Sequence, residues 1–545
     1  MFVKHPKPPK TPSFVCQFPL LPASPQDAAA YRVEADHYRR LQNAVLSQLL
    51  RQLDAMRKDP AWAAGRLLPL EEKAAHYQAL SRQYGLDKTG VGRMTKSIRR
   101  NPDFKRHTNS AVAQKLGERA LDAVLKKQFG KSKRVRFKNR GEIVTLESKA
   151  NASGIRVRFG DNPTVKTSRA TFRIPVDPQC PYQRHAIGHR IKNSRIVVRT
   201  IKGQPRYILH LVLDGLPYVD PVKRVKHLQA VLAREGDDYF EREAALPVEL
   251  RQRTGLDSGP RRWAVSTALT AFETPLCDGV DKKQATVRCL QRKMDRSLRA
   301  MNRDNYDDQG RAKKGKVWKK SAGYLKTQEK LCELERRKAA HRRSAHGHLA
   351  NRVLAYGNRT HVENCSKTAW QKRYGKSIQH HAPSALECEI IRKAATLGGG
   401  GMKIDTWKTA LSQHCVCGRR QKKPLAERYH RCPACGFGME VPAPRDTLSA
   451  YLAVFVTEAM MKSGEYDMQS VTSKALQYVS AHRTLCNCIP RRFERSVSSP
   501  PLAQAGGWTM SHPTDCRTDS SEGLSSDLEL AFVTEGPEAE RFTIA

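Results

Sequence analysis

Four cysteines near the C-terminal end constrain this chain more than any other feature. Cys415-x-Cys417-Gly418 is followed, after 14 intervening residues, by Cys432-x-x-Cys435-Gly436. Two such knuckles bring four thiolates into a tetrahedron, the geometry of a structural zinc site. The glycine after each knuckle permits the tight turn that the motif requires. The first pair is separated by one residue where two are commoner, and His414 and His430 stand close enough in sequence to replace a ligand. The competing reading is a set of buried, unpaired thiols. Cys486-x-Cys488 has no second pair and is incidental. Fourteen cysteines in 545 residues are too sparse for a disulfide scaffold, so a reducing compartment, cytoplasm or nucleoid, is expected.

Charge narrows the partner. The chain carries 97 Lys+Arg against 53 Asp+Glu, net +44, and a surface this positive calls for a polyanion, usually nucleic acid. No apolar run approaches the roughly 18 residues of a membrane span. The N-terminus lacks the apolar stretch of a secretory signal. No lysine-rich amphipathic helix ends in a lipidation motif, so no membrane partner is expected.

At roughly 150 residues per domain the length predicts three or four domains, and the fold class expected is multidomain α+β. Residues 1–23 read as a Lys/Pro lead and a first strand, Ser13–Leu21. Residues 24–129 read as a helical lobe opened by Ser24-Pro25, with Tyr38, Leu41, Val45, Leu49, Leu53 and Met56 on one buried stripe. Further helices are predicted over Pro69–Tyr84 and Asn109–Phe129. Residues 130–218 read as β-rich, so that the helical lobe is inserted into a strand platform. Here Lys133, Arg134, Arg136, Lys138 and Arg140 surround Val135 and Phe137, the pattern of a strand with one basic face. Further strands are predicted over Gly154–Phe159, Ala170–Ile174, Arg195–Ile201 and Tyr207–Leu213. Taken singly, any one basic strand is a solvated face.

Residues 219–253 read as a polar connector with helix. Over 254–410, strands Thr254–Leu256, Trp263–Thr267 and Phe272–Leu276 precede two long helices, Lys283–Met301 and Ser321–Leu354. The loop between these helices holds Arg311, Lys313, Lys314, Lys316, Trp318, Lys319 and Lys320, which suits base stacking flanked by phosphate contacts. The alternative is a solvated hairpin tip with Trp318 tucked beneath it. Another strand, Arg359–Val362, ends at Glu363. Tyr374–Ser377 lacks the glycine spacing of a phosphate loop and reads as a plain loop. The zinc ribbon spans 411–440, and 441–488 begins with Arg445-Asp446 and an apolar helix. Residues 489–545 turn Ser/Pro/Gly-rich, then acidic, and read as a disordered tail.

Three carboxylates on separate elements, Asp257, Glu363 and Asp446, can converge on two divalent cations, which activate water and stabilise the leaving oxygen in phosphodiester hydrolysis. Oxygen ligands suit Mg²⁺ or Mn²⁺. With 53 acids in the chain, spacing alone does not single these three out. What does so is the order Gly255-Leu256-Asp257-Ser258-Gly259, Val362-Glu363-Asn364, Leu411-Ser412-Gln413-x-Cys415, Cys417-Gly418, Cys432-Pro433-x-Cys435-Gly436 and Arg445-Asp446. This series resembles transposon-encoded TnpB and the related compact type V CRISPR effectors, closely over residues 200–456 and more loosely over 13–200.

The resemblance implies an RNase H-like RuvC domain with the zinc ribbon inserted before its last carboxylate. The 24–129 lobe becomes a recognition lobe and the strand platform a wedge domain. Asp257, Glu363 and Asp446 become the catalytic metal ligands, and Cys415, Cys417, Cys432 and Cys435 the zinc ligands. The partners implied are a guide RNA and double-stranded target DNA beside a short flanking motif, with oligomeric state left open. Ser258-Gly259-Pro260-Arg261-Arg262 and Leu448 depart from the family pattern without removing a ligand. Two other functions stay open: an RNA-guided repressor that does not cut, and a guide-independent RuvC-like nuclease or transposition accessory.

Overall fold

A computed structural model describes residues 11–490 apart from 131, 281, 282 and 425 and the side chain of Leu70. The lead before residue 11 and nearly all of the predicted disordered tail lie outside the described residues. The chain divides into two compact units, one reaching Tyr218 and the other starting at Val219.

In the first unit, β1 (Ser13–Pro22) leads into α1 (Pro25–Lys58), whose Ser24 cap accepts from the Asp27 amide. The short helices α2 (Pro60–Ala64), α3 (Leu70–Gln83), α4 (Lys88–Arg99) and α5 (Pro102–His107) precede α6 (Ser110–Gln128). The remaining strands are β2 (Leu146–Glu147), β3 (Arg156–Arg158), β4 (Thr164–Lys166), β5 (Thr171–Arg173), β6 (Ile191–Ile201) and β7 (Gln204–Asp214), with α7 (Pro181–Ile187) before β6. They form one seven-stranded sheet in the order β2-β6-β7-β1-β5-β4-β3. The helical block is therefore an insertion between β1 and the rest of its own sheet.

Lys202 and Gly203, both at positive φ, close the two-residue β6–β7 turn, the backbone that matches strand twist in tight hairpins. The predicted stripe on α1 is buried throughout, from Tyr38 to Met56. Tyr31 on the same face meets Phe172 and Tyr207 of the sheet edge-on.

The second unit opens with α8 (Pro221–Glu235) and α9 (Tyr239–Ala244). This stretch, read as a polar connector, sends Val231, Tyr239, Leu246 and Leu250 into the core of the unit. Strands β8 (Arg253–Ser258), β9 (Arg262–Ser266) and β10 (Ala271–Pro275) follow, then α10 (Gln284–Met301) and α11 (Ala322–Tyr356). Next come β11 (Arg359–Glu363), α12 (Lys367–His381), α13 (Pro383–Thr396), β12 (Gly400–Ile404) and α14 (Thr406–Thr409). A small ladder of β13 (Tyr429–His430) and β14 (Ala443–Pro444) precedes α15 (Arg445–Phe455), α16 (Glu458–Ser463) and α17 (Met468–Tyr478).

The sheet order is β10-β9-β8-β11-β12. The first three strands are antiparallel neighbours, and β11 and β12 run parallel to β8. Leu256, Val265, Val362 and Ile404 of this sheet share one core with Leu448, Tyr451, Leu452 and Phe455 of α15. No helix among the described residues is long and apolar enough to cross a membrane.

Two local expectations fail. Residues 132–145 form no strand. Both the amide and the carbonyl of Lys138 are taken by the side chain of Asn43 on α1, so this backbone is bound to a helix where a ladder partner would be needed. Tyr374–Ser377 is not a loop but lies inside α12, at a kink where Tyr374 leaves helical geometry (φ −119°). Ser366 caps the helix by accepting from the Ala369 amide, and the helix formers that follow carry it through.

Candidate metal-dependent nuclease site

The candidate carboxylates stand at the ends of three elements. Asp257 is the penultimate residue of β8, Glu363 the last of β11, and Asp446 the second of α15. The parallel register pairs Val362 with Leu256, so one step further sets Glu363 beside Asp257 on the same face of the sheet. Asp446 arrives from the helix packed across β8 and β9.

Burial and mutual repulsion act on the two strand carboxylates. Loss of water raises the Asp257 carboxyl well above the usual carboxylate range, with Glu363 and Asp446 as the next causes. Glu363 is pushed up to about 7, first by burial, with Asp446 adding to it. Two carboxyls held out of water beside a third favour a cation that offsets their charge. Ser449, one turn beyond Asp446, donates to Glu363 Oε1 (3.4 Å) and reaches Asp257. Asp446 is braced by Arg445 at 3.0 Å and Arg428 at 3.3 Å.

Lys367 in the first turn of α12 donates to Ser258 Oγ (2.6 Å), beside Asp257, and lowers the Glu363 carboxyl. Glu387 on α13 pairs with Lys367 at 3.7 Å and with Lys403 at 2.6 Å. The sequence reading missed Ser449, Lys367 and Glu387. Helical spacing from Asp446 could have flagged Ser449, whereas Lys367 and Glu387 matter only through contacts across the fold. Leu448, one of the departures from the family pattern, is wholly buried in the core.

The four cysteine sulfurs lie within 4.8 Å of one another. Cys415 and Cys435 are 3.6 Å apart, and Cys417 and Cys432 3.8 Å, close to the roughly 3.8 Å edge of a tetrahedral zinc–thiolate site. The one-residue gap therefore still delivers both sulfurs of the first knuckle. Gly418 and Gly436 adopt left-handed φ of 88° and 78°, which glycine alone tolerates freely. The Cys435 thiol is pulled down to about 5, chiefly because it accepts from Cys415. His414 and His430 stay outside this group: His414 bonds the Ala410 carbonyl, and His430 is engaged by Lys423.

The basic residues singled out in sequence fall in two places. In the first unit Lys133, Arg134, Arg136 and Arg140 are exposed, while Arg136 (2.8 Å) and Lys138 (3.4 Å) pair with Glu142. In the second unit Lys313, Lys314, Lys316, Lys319 and Lys320 are exposed on the loop between α10 and α11. Trp318 there is half-buried, edge-on to Tyr306 at 5.3 Å, and Arg299 covers the Tyr306 ring at 4.7 Å.

No protein-family model matches the chain, and no curated protein matches it. Among solved structures, it is similar to a Cas12f1–sgRNA–target DNA complex determined by cryo-EM, with a TM-score of 0.40 and 11% identity over 82% of this chain and 98% of that one. A CRISPR–Cas12f ternary complex matches with a TM-score of 0.24 and 11% identity over 76% of this chain and 80% of that one.

Proposed function

We propose that this chain is an RNA-guided DNA endonuclease with a single RuvC-type, divalent-metal-dependent site. The observation that carries the reading is the electrostatic neighbourhood of Asp257, Glu363 and Asp446 at the ends of β8, β11 and α15, where the first two carboxyls are raised by burial and by neighbouring acids. The three oxygens are not drawn within 4.8 Å of one another as the four cysteine sulfurs are. The strand order, three antiparallel strands followed by two parallel to the first, suits an RNase H-like domain. Mg²⁺ or Mn²⁺ bound to the three carboxylates would supply Lewis acidity toward a scissile phosphate and an activated water. Asp257 and Glu363 offer hard oxygen donors from the rigid sheet. Ser449 keeps them aimed, and Arg428 and Arg445 fix the third carboxylate. Lys367, held by Ser258 and Glu387, adds a cation beside Glu363.

Guidance by RNA rests on the family resemblance and on the net charge of +44, enough to grip an RNA scaffold and a heteroduplex together. The exposed lysines and arginines of 133–140 and 313–320 are candidates for backbone contacts. Zinc on the four cysteines has a structural role, closing the loop that delivers α15.

The test is to express the chain with its native flanking locus, sequence the RNA that co-purifies, and use it to program cleavage of a plasmid library with randomised flanks in Mg²⁺. A discrete RNA and cleavage that Asp257→Ala abolishes are the expected results. RNA-dependent binding without cleavage would replace this reading with a repressor, and cutting that ignores any guide would leave a guide-free nuclease.

A further inference from the structure

A second cluster of metal-ligating side chains lies in the first unit. His37 on α1, and Asp103 and His107 on the six-residue α5, bring one imidazole or carboxylate donor each to within 4.8 Å of one another. The two imidazole rings stack with centroids 3.9 Å apart and planes 11° apart.

Proton accounting makes the cluster informative. His37 Nδ1 lies 2.8 Å from the Val33 carbonyl, which can only accept, so Nδ1 carries the hydrogen. His37 Nε2 then faces Asp103 Oδ1 at 3.2 Å. A neutral ring would set a lone pair against a carboxylate there, so a proton or a metal ion must lie between them. His107 Nδ1 is buried and has no hydrogen-bond partner among the described residues. Arg40 occupies the other oxygen of Asp103, Oδ2, at 2.8 Å, leaving Oδ1 for the ion. A carboxylate bound to a metal-ligating histidine set and braced by a second group is common in such sites.

We propose that His37, Asp103 and His107 bind one divalent transition-metal ion of the zinc, cobalt or nickel class. Two imidazoles and one carboxylate suit such ions and not Mg²⁺. Arg40, together with Arg106 and Arg169 near His107, makes the surroundings positive, so affinity must come from nitrogen donors and not from charge. Two ligands of one zinc ion stand about 3.4 Å apart, a closure that side-chain rotation provides. The ion would clip α5, which buries none of its residues, to α1 across 66 positions of chain. A cross-link over so long a loop removes much of the freedom of the unfolded chain.

The experiment is metal analysis of the full-length chain purified in zinc, beside His107→Gln and the exposed-side variant Asp103→Asn. Wild type should hold one more zinc ion per chain than either variant. After cobalt exchange, the thiolate charge-transfer band of the four-cysteine site should be equal in all three, which also shows that the variants are folded. Equal metal content in all three chains would overturn the proposal and leave a protonated His37 paired with Asp103. If His107→Gln fails to fold, Asp103→Asn decides alone. None of these readouts involves nucleic acid, so the outcome is separate from that of the nuclease reading.

Discussion

The backbone of Gly255 on β8 lies directly against the carbonyl of Ala450 on α15. A Cβ on Gly255 would overlap that oxygen and would come within 3.0 Å of the Ala453 side chain. This contact sets how closely α15 approaches the sheet, and so how closely Asp446 approaches Asp257. Gly255→Ala is therefore expected to cost about 3 kcal/mol, the upper range of overpacking, and to lower cleavage even where the chain still folds. Urea unfolding followed by the cleavage assay checks both. An unchanged midpoint would mean that α15 can shift without loss.

Asp257 carries a charge at a price in stability, because its folded pKa is raised above the unfolded value. For an acid shifted this way, stability falls as pH climbs from the unfolded pKa toward the folded one. Asp257→Asn should therefore stabilise the protein in chelator at pH 7.5 by about 1 kcal/mol or more, while cleavage falls by about 10³-fold. Added Mg²⁺ should raise the melting temperature of wild type and leave the variant unmoved. A variant less stable than wild type in chelator would argue against carboxylate repulsion at this site.

Ser449→Ala removes a hydroxyl that reaches both strand carboxylates. Such supporting groups around metal ligands are worth about 10- to 100-fold in affinity or activity. The expected change is a weaker apparent affinity for Mg²⁺ with most activity restored at high Mg²⁺. A loss that no Mg²⁺ concentration recovers would assign the serine a different part in the reaction.

His482 is fully buried: its Nδ1 accepts from the amides of Thr484 and Leu485 (3.3 and 3.1 Å), and its Nε2 bonds Ser266 Oγ at 3.1 Å. Burial pushes its pKa down to about 3. A depressed base binds its proton in the unfolded chain first, so stability is full above about pH 6.5 and falls as pH drops toward 3. The slope added by this residue is at most about 1.4 kcal/mol per pH unit. Urea midpoints at pH 7.5 and 5.5 should differ in wild type, and less so in His482→Gln.

Removing zinc from the four cysteines should loosen the segment that carries β13, β14 and the start of α15, since a structural zinc contributes folding energy directly. Strong chelation is expected to expose Cys415 and Cys432, both buried, to a thiol reagent and to lower the melting temperature. Full thiol protection after chelation would place the stability of this region in its apolar packing alone.

Local order is legible in the sequence. Period-two and period-three-to-four patterns marked β1, α1, α6 and β7, because burying an alternating or striped face rewards the same residues whatever surrounds them. The knuckle glycines were equally legible, since their left-handed backbone is a property of the turn itself. The segment 132–145 misled because its alternation is real, yet Asn43, 95 residues earlier than Lys138, took the backbone groups a neighbouring strand would have used.

By itself, the amino-acid order determined the chemical inventory: four thiols at knuckle spacing, a large excess of positive charge, and carboxylates at Asp257, Glu363 and Asp446 at the ends of recognisable elements. Tertiary structure alone decided which groups meet. The pairing of Glu363 with Asp257 needs a parallel register across more than one hundred residues, and the arrival of Asp446 needs α15 to close on Gly255. Lys367, Glu387, and the meeting of His37 with His107 gain their significance only there. Contacts between distant parts of a chain follow from the packing of whole elements against the entropy of closing long loops, and no local pattern of residues encodes that balance.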